Sequence, residues 1–260
     1  MTATGPVFVV GCPRSGTSAL SWALAAHPDY WTSVETHFFY QLLRDDWLGN
    51  AWASSVRPGS WLDVHAVAKD EFQLHAGAGF DRLMRSRSCG LNWVDGSPEN
   101  LLVADPLLGL FGDSHMFHVI RDPRAVCLSM LTSGFAEPWA RDLTAAIDVW
   151  KHYASKGIRL TQKYPDRVTR IRQEDMRSTP RETAREIGRR LGLEAVEAIA
   201  TFLTHQKINS SFDKASYSDF SPFREVETPR VDPDEFHASH DARIWEETSM
   251  LASQCGYVWT

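Results

Sequence analysis

The sequence contains few cysteines, and they lie far apart. Cys12, Cys89, Cys127 and Cys255 are the four cysteines among 260 residues, and no two of them form a C-x-x-C pair. Zinc sites and redox motifs use such closely spaced pairs, and small secreted domains are rich in cysteine. We therefore predict no disulfide framework and no bound metal, and we expect a reduced, intracellular protein.

The sequence has no surplus of positive charge either. Its 27 Lys and Arg residues are outnumbered by 33 Asp and Glu residues, which gives a formal net charge of -6. Proteins that bind a long polyanion usually carry an excess of basic residues. The balance therefore argues against nucleic acid or a heavily sulfated polysaccharide as a partner, although a few arginines are enough to hold a small anion.

Long hydrophobic runs are missing as well. The apolar run near the N-terminus covers only Val7 to Val10, which is too short for a signal peptide or a membrane span. We expect a cytoplasmic protein with no membrane partner. The length predicts a single domain over residues 1–260, and the oligomeric state is left open.

What the sequence does contain is an alternation of short apolar runs with helical segments. Strands are predicted at 6–10, 31–34, 92–94, 116–120 and 168–171. Helices are predicted at 19–26, 143–162 and 181–191. Such alternation is typical of an α/β fold with a central parallel sheet flanked by helices.

A glycine-rich segment follows the first predicted strand. Gly11 to Ser18 reads GCPRSGTS and has the spacing of the nucleotide loop G-x-x-x-x-G-K-[ST], but Thr17 stands where that loop has its lysine. A cation stands earlier, at Arg14. A glycine turn leading into a helix presents backbone N–H groups and the positive end of the helix dipole to an anion. The segment therefore predicts a phosphate site, and the missing lysine makes it a poor ATPase or kinase loop.

Two segments resemble those of a known enzyme family. GCPRSGTSAL is similar to the 5′-phosphosulfate loop of sulfotransferases that use 3′-phosphoadenosine-5′-phosphosulfate (PAPS), and RDPRAVCLS, Arg121 to Ser129, resembles their 3′-phosphate segment. The resemblance implies a P-loop-type three-layer fold, PAPS as donor with PAP as product, and no metal. The donor-binding residues that it implies are Pro13, Arg14, Ser15, Gly16, Thr17, Ser18, Arg121 and Ser129.

The second of these segments is also physically suited to a phosphate. The guanidinium of Arg121 can donate two hydrogen bonds to the oxygens of one phosphate. Ser129 lies about two helical turns further on and can reach the same anion if the helix directs its N-terminal half at it. Together with the first loop, the segment separates a 3′-phosphorylated donor from an ordinary nucleotide.

A third segment supplies groups that could take a proton from an acceptor hydroxyl. If residues 35–39 are extended, Glu35 and His37 point to the same side, and either side chain can act as a base. The segment resembles E-x-H-[FY]-F of the carbohydrate sulfotransferase branch, which implies Glu35 as general base and His37 in support. In the branch with a lone histidine base, the candidates are His37 and His75.

Arg14 is predicted to assist the same reaction from the donor side. A fixed cation stabilises the negative charge that builds on the bridging oxygen as the bond from sulfur to oxygen breaks. Since arginine does not readily give up a proton, we assign to Arg14 electrostatic stabilisation and not acid catalysis.

The resemblance fails at two points. In VDGSPENL, Val94 to Leu101, Gly96 stands where the family usually has a lysine, and Arg57, Lys69 or Lys214 are candidates to replace it. The glycine-rich basic segment that closes over the 3′-phosphate in some branches is absent, and we predict that Arg224 takes its place.

Residues 40–90 match the family least and are predicted to form a helical insertion over the acceptor site. We expect Pro58-Gly59 to break this insertion once, and Gly77 and Gly79 to break it again, because proline and glycine are unfavourable in helix interiors. Acceptor specificity is expected to lie here.

These features predict transfer of a sulfuryl group from PAPS to a hydroxyl of a small molecule, such as a natural product or a sugar. Two alternatives stay open. A P-loop nucleotide kinase or NTPase would need a lysine at position 17 and a strand-end Asp for Mg²⁺, a role that Asp122 fits weakly. A catalytically inactive PAP-binding protein would not need Glu35, His37 or Arg14.

Overall fold

The computed structural model describes residues 5–205, 234, 236 and 242–258. Within these residues, five parallel strands form one sheet with the order β2-β3-β1-β4-β5. The strands are β1 (Val7–Gly11), β2 (Tyr30–Thr32), β3 (Asn92–Asp95), β4 (His115–Ile120) and β5 (Val168–Arg172). Each predicted strand is present, and its ends agree with the prediction to within two residues.

The central strand shows why these runs form a buried sheet. β1 pairs with β3 on one side and with β4 on the other, and all five of its residues are buried. Its side chains alternate between two cores, with Phe8 and Val10 in one and Val7 and Val9 in the other. A strand covered by helices on both faces is apolar throughout, so the predicted three-layer α/β fold is confirmed.

The helices of the described residues form the two outer layers. They are α1 (Thr17–Leu24), α2 (Phe38–Leu43), α3 (Trp47–Ser55), α4 (Trp61–Val64), α5 (Lys69–Arg87), α6 (Ala104–Leu110), α7 (Pro123–Leu131), α8 (Leu143–Lys163), α9 (Gln173–Ser178), α10 (Pro180–Leu191), α11 (Glu197–His205) and α12 (Ala242–Gln254). Short 3₁₀ helices cover Pro98–Val103 and Pro138–Ala140. None of these helices is long and apolar enough to cross a bilayer.

A cluster of aromatic rings joins the predicted insertion to the sheet. Phe39 of α2 stacks on Trp93 of β3 with ring centroids 5.9 Å apart and an interplanar angle of 10°. Phe8 of β1 and Phe111 meet both of these rings at 5.5 to 5.9 Å. Buried aromatic pairs of this kind stabilise a fold beyond the area they bury. The cluster therefore fixes the start of α2 against the centre of the sheet.

The segment predicted to be an insertion contains the helices α2 to α5, and one expectation about it is wrong. The break at Pro58-Gly59 is confirmed between α3 and α4. No break occurs at Gly77 and Gly79, because α5 is continuous from Lys69 to Arg87. A Cβ at Gly77 would lie 1.9 Å from the carbonyl oxygen of Leu110 in α6. Gly77 therefore serves a close approach between two helices, which offsets its low helix propensity.

Candidate active site

The glycine-rich segment forms a tight turn between β1 and α1. The amide of Ser15 donates to the carbonyl oxygen of Cys12 at 3.0 Å. Gly16 precedes the helix with a φ of +95°, a conformation that favours glycine. Because Gly16 has no side chain to accept hydrogen bonds from the first-turn amides of α1, those N–H groups need another acceptor. The positive end of the α1 dipole favours an anion there.

Two residues of the turn carry further signs of a binding site. Arg14 adopts a φ of +70°, a conformation uncommon outside glycine that clusters at functional sites. The hydroxyl of Ser15 is fully buried and has no hydrogen-bond partner among the described residues. An unpaired buried hydroxyl costs about 1–3 kcal/mol. A ligand oxygen in this turn would satisfy it.

The second predicted motif lies directly beside this turn. The Nε atom of Arg14 donates to the Oγ atom of Ser129 on α7 at 3.1 Å. Arg121, at the end of β4, donates from Nη1 to the carbonyl oxygen of Arg14 at 3.0 Å. Burial lowers the pKa of both guanidinium groups, and their proximity lowers that of Arg14 further. The fold thus brings both arginines and Ser129 into one cationic pocket, although over 100 residues separate the motifs.

Neighbouring residues fix the position of Arg121. Its carbonyl oxygen accepts from the indole of Trp150 at 3.1 Å. The amide of the next residue, Asp122, donates to Oε1 of Glu174 at 3.0 Å, and the hydroxyl of Tyr257 donates to Oε2 of the same Glu174 at 2.8 Å. These bonds join β4, α9 and the C-terminal end around the pocket.

The Glu35 segment follows β2, which ends at Thr32. The extended geometry predicted for this segment is wrong at His37, whose φ of +54° places it in the left-handed region at the start of α2. The two side chains nevertheless meet, since Nε2 of His37 lies 3.5 Å from Oε2 of Glu35. Arg14 is close enough to Glu35 to lower the pKa of this carboxyl.

The carboxylate of Asp95, at the end of β3, holds this segment in place. It is buried and accepts hydrogen bonds from Thr36 Oγ1 at 2.7 Å, Asn100 Nδ2 at 2.9 Å and Ser97 Oγ at 2.7 Å. It also accepts from the amide of Ser97 at 3.0 Å. The hydroxyl of Ser97 in turn accepts from the amide of His37 at 3.1 Å. Asp95 therefore joins the loop after β2 to the loop after β3.

A second carboxylate reaches His37 from that other loop. Glu99 Oε1 is hydrogen-bonded to Nδ1 of His37. This bond is the main reason why the pKa of His37 is raised to about 8. Burial raises the pKa of Glu35 to about 7, with repulsion from Glu99 and Asp95 adding to the effect and attraction to His37 and Arg14 opposing it. Glu35, His37, Glu99 and Asp95 therefore form one group of four interacting titratable side chains.

Sequence reasoning missed Asp95, Ser97 and Glu99. All three lie in VDGSPENL, which was compared with the family only for its absent lysine. The available signal was an Asp at the end of a parallel strand, the edge of a sheet where α/β folds place ligand-binding groups. Another contact that the sequence did not predict is that of Arg14 with the ring of Phe135, 5.5 Å from its centroid.

The remaining candidates lie elsewhere. His75 is exposed on α5, with Nε2 4.0 Å from a carboxylate oxygen of Glu71. Lys69 is 3.7 Å from a carboxylate oxygen of Asp46. Arg224 and Lys214 fall outside the described residues. Gly96 leaves little room for a lysine, because a Cβ there would lie 2.4 Å from Oγ of Ser21.

Comparison with known proteins agrees with this geometry. The sequence profile of the sulfotransferase family matches residues 6–197, which include both predicted phosphate motifs and the Glu35 segment. The chain belongs to the sulfotransferase family. No curated protein sequence gives a significant match to this sulfotransferase.

Solved structures resemble the sulfotransferase over nearly its whole length. The sulfotransferase domain of the Synechococcus PCC 7002 olefin synthase is 19% identical with a TM-score of 0.61, over 98% of this chain and 95% of that chain. A sulfotransferase domain from the curacin biosynthetic pathway is 17% identical with a TM-score of 0.61, over 98% and 99%. A mouse sulfotransferase complexed with PAP is 10% identical with a TM-score of 0.51, over 96% and 83%. At these identities the likeness shows the fold alone.

Proposed function

We propose that this sulfotransferase takes its sulfuryl group from PAPS and transfers it to a hydroxyl of a small molecule, with Glu35 as general base. The observation that carries the proposal is the position of Arg14. Its guanidinium contacts Ser129 of the second phosphate motif, its carbonyl oxygen contacts Arg121, and its charge acts on Glu35. The proposed donor site and the proposed base therefore share one arginine.

The residues of the pocket fit a donor with phosphates at both ends. The buried Ser15 hydroxyl and the first-turn amides of α1 suit the oxygens of a 5′-phosphosulfate. Arg121 and Ser129 suit a 3′-phosphate, because a guanidinium at the end of β4 and a hydroxyl on the helix α7 that follows can bind the same anion. The turn has no lysine at Thr17, which disfavours a nucleoside triphosphate.

The chain's own residues divide the chemistry between them. When bound, PAPS supplies the sulfuryl group, so that the acceptor oxygen bonds to sulfur while the bond from sulfur to the phosphate oxygen breaks and PAP leaves. Glu35 accepts the proton of the acceptor hydroxyl, and a pKa of about 7 suits a base that works near neutral pH. Arg14 stabilises the charge that builds on the phosphate oxygen.

The charge of the base side bears on the acceptor. Glu35, Glu99 and Asp95 place three carboxyl groups around His37. An anionic acceptor would be repelled by this group, whereas a neutral hydroxyl compound would not. We propose a small neutral natural product or sugar in a cytoplasmic setting, in keeping with the net charge of -6.

One pair of measurements tests the proposal. The protein is incubated with ³⁵S-labelled PAPS and a panel of hydroxylated small molecules, and its affinities for PAP and ATP are measured by calorimetry. We expect transfer of label to at least one acceptor, and PAP binding at least roughly tenfold tighter than ATP binding. Tighter binding of ATP would favour the NTPase alternative. Tight PAP binding without transfer to any acceptor would favour the inactive binding protein.

A further inference from the structure

We propose that Glu99 is a positioning residue of the sulfotransferase, which holds His37 as an imidazolium beside the base Glu35. Two carboxylates face opposite ring nitrogens of one histidine: Glu99 is hydrogen-bonded to Nδ1, and an oxygen of Glu35 lies 3.5 Å from Nε2. The inference rests on the proposed role of Glu35 as general base. Glu99 joins Glu35 and His37 as a third residue of the base, and it acts on the reacting groups only through His37.

Both ring nitrogens of His37 face a carboxylate oxygen. A carboxylate accepts hydrogen bonds, and a neutral imidazole has only one N–H group. Nδ1 is hydrogen-bonded to Glu99 Oε1, and Nε2 lies 3.5 Å from Glu35 Oε2. Only the protonated ring presents an N–H group to each carboxylate. The arrangement therefore favours a positive charge on His37.

The contact is held by more than the two side chains that make it. Glu99 lies in the first turn of the 3₁₀ helix Pro98–Val103, and its side chain is only 20% exposed. Its neighbour Asn100 is bonded to Asp95, and so is Thr36, the neighbour of His37. Although the His37 side chain is 58% exposed, both residues of the contact are thus anchored through their chain neighbours to one buried carboxylate.

An imidazolium at His37 has a consequence for the base. Glu35 is faced by the negative groups Glu99 and Asp95 and by the positive groups His37 and Arg14. Burial and the two carboxylates favour the protonated form of Glu35, which cannot accept a proton. His37 opposes this effect while it is charged, and Glu99 is the main group that keeps it charged.

The first test measures His37 directly by NMR titration of the histidine rings of the full chain. The His37 signal is identified by its loss in His37→Gln. In the wild type we expect the pKa of His37 near 8, and in Glu99→Gln a fall of at least one unit, toward the ordinary value of about 6.5. Glu182→Gln, an exposed position on α10, is the matched control and should leave the His37 pKa unchanged.

The second test measures turnover with PAPS against pH in the same variants. At pH 8.5 Glu35 is ionised in every variant, so a loss there reports whether the Nε2–H group of a charged His37 holds the Glu35 carboxylate in position. Loss of one unit from the His37 pKa should therefore reduce kcat of Glu99→Gln roughly tenfold at pH 8.5 and much less at pH 6.5, where His37 is still largely protonated. Glu99→Asp keeps the charge at a greater distance and should fall between the wild type and Glu99→Gln. PAP affinity should be the same in all of them.

The outcomes separate this inference from the proposed function. A wild-type His37 pKa at or below 6.5, or one that does not fall in Glu99→Gln, overturns the role of Glu99 while leaving the base assignment intact. An equal loss of turnover at all pH values, with no change at His37, would also overturn it, since that indicates a structural defect. Full activity in Glu35→Gln would instead refute the proposed base, whatever the titration of His37 shows.

Discussion

The part of the site that is proposed to bind the donor, here called the phosphate side, is built around the fixed positive charges of Arg14 and Arg121. The part that is proposed to activate the acceptor, here called the base side, is built around Glu35 and His37, whose charges depend on their neighbours. On the first side, Arg14 and Arg121 are buried beside a helix N-terminus. On the second, Glu35 and His37 have pKa values of about 7 and 8. Arginine stays charged at any physiological pH, so only the second side responds to pH in the neutral range.

The two sides also differ in how they are assembled. The phosphate side uses two contiguous motifs, each at the junction of a strand and a helix, and both follow neighbouring strands of the sheet. The base side uses the segments after β2 and β3, which are joined by the hydrogen bonds from Thr36 to the buried carboxylate of Asp95 and from the amide of His37 to Ser97. This difference indicates that binding of the donor and activation of the acceptor can be impaired separately.

The largest expected effect is the loss of the base. Glu35→Gln removes the proton acceptor but keeps the size of the side chain, so kcat should fall by roughly 10²- to 10⁴-fold. PAP affinity should change little, because the proposed role of Glu35 is to take the proton of the acceptor and not to hold the nucleotide. Kinetics with labelled PAPS and calorimetry with PAP check both parts, with Glu182→Gln as control. A matching loss of PAP affinity would show that Glu35 also contributes to donor binding, so that the two sides are not separate.

The second effect is expected in donor binding. Arg121→Ala removes a charged donor from the phosphate side, and the PAP dissociation constant should rise roughly 30- to 300-fold. The pKa of His37 should stay near 8, since Arg121 is not among the groups that shift it. Arg181→Ala, an exposed arginine on α10, is the control. Calorimetry and an NMR titration of His37 measure the two quantities, and a PAP affinity equal to that of the wild type would remove Arg121 from the site.

The third effect is the pH dependence of the two sides. Burial raises the pKa of Glu35 to about 7, so the base is protonated below that value, and kcat should fall about tenfold per pH unit in the acid range. Above pH 8 His37 loses its charge and with it the Nε2–H group that holds the Glu35 carboxylate in position, so kcat should fall again. PAP affinity should vary less than about threefold between pH 7 and 8.5, because both arginines stay charged. A PAP affinity that follows the kcat profile would show that the two sides are not independent.

The smallest effect is expected in stability, at the contact between the two sides. Here Gly96, which follows β3, packs against Ser21 of α1, the helix that begins after the glycine turn. A Cβ at Gly96 would lie 2.4 Å from Oγ of Ser21, so Gly96→Ala should lower the free energy of unfolding by about 1–3 kcal/mol. Adding Ser21→Ala should recover part of the loss. Gly79→Ala is the control, because nothing lies within 4 Å of a Cβ there and alanine favours the helix. Denaturant unfolding measures these differences in the free energy of unfolding. A Gly96→Ala variant as stable as the wild type would mean that Gly96 and Ser21 are loosely packed.

The difference between the two sides also explains which features of the fold and the site could be predicted from the sequence. The strands, the glycine turn and the helix that follows Arg121 were predicted because each depends on a short run of residues. Arg14 and Ser129 were predicted to serve one ligand, and the structure brings their side chains within 3.1 Å. The match over residues 6–197 confirms the sulfotransferase family that these motifs resemble.

The sequence-based account was weaker on the base side and in the insertion. Glu35 and His37 were selected, but the turn at His37 was missed, since a left-handed φ outside glycine has no reliable local signal. Gly77 was taken as a helix break, although the neighbouring helix α6 determines its role. The proposed role of Arg224 lies outside the described residues and stays a prediction.

The sequence by itself determined the order of strands and helices, the turn that exposes amides to an anion, and the cations near it, because these follow from local periodicity and residue type. Only the tertiary structure decided which carboxylates surround His37. Asp95 and Glu99 reach the loop after β2 across 59 and 62 residues of chain. Contacts of that kind depend on how strands are ordered in the sheet, and short-range sequence patterns do not encode that order.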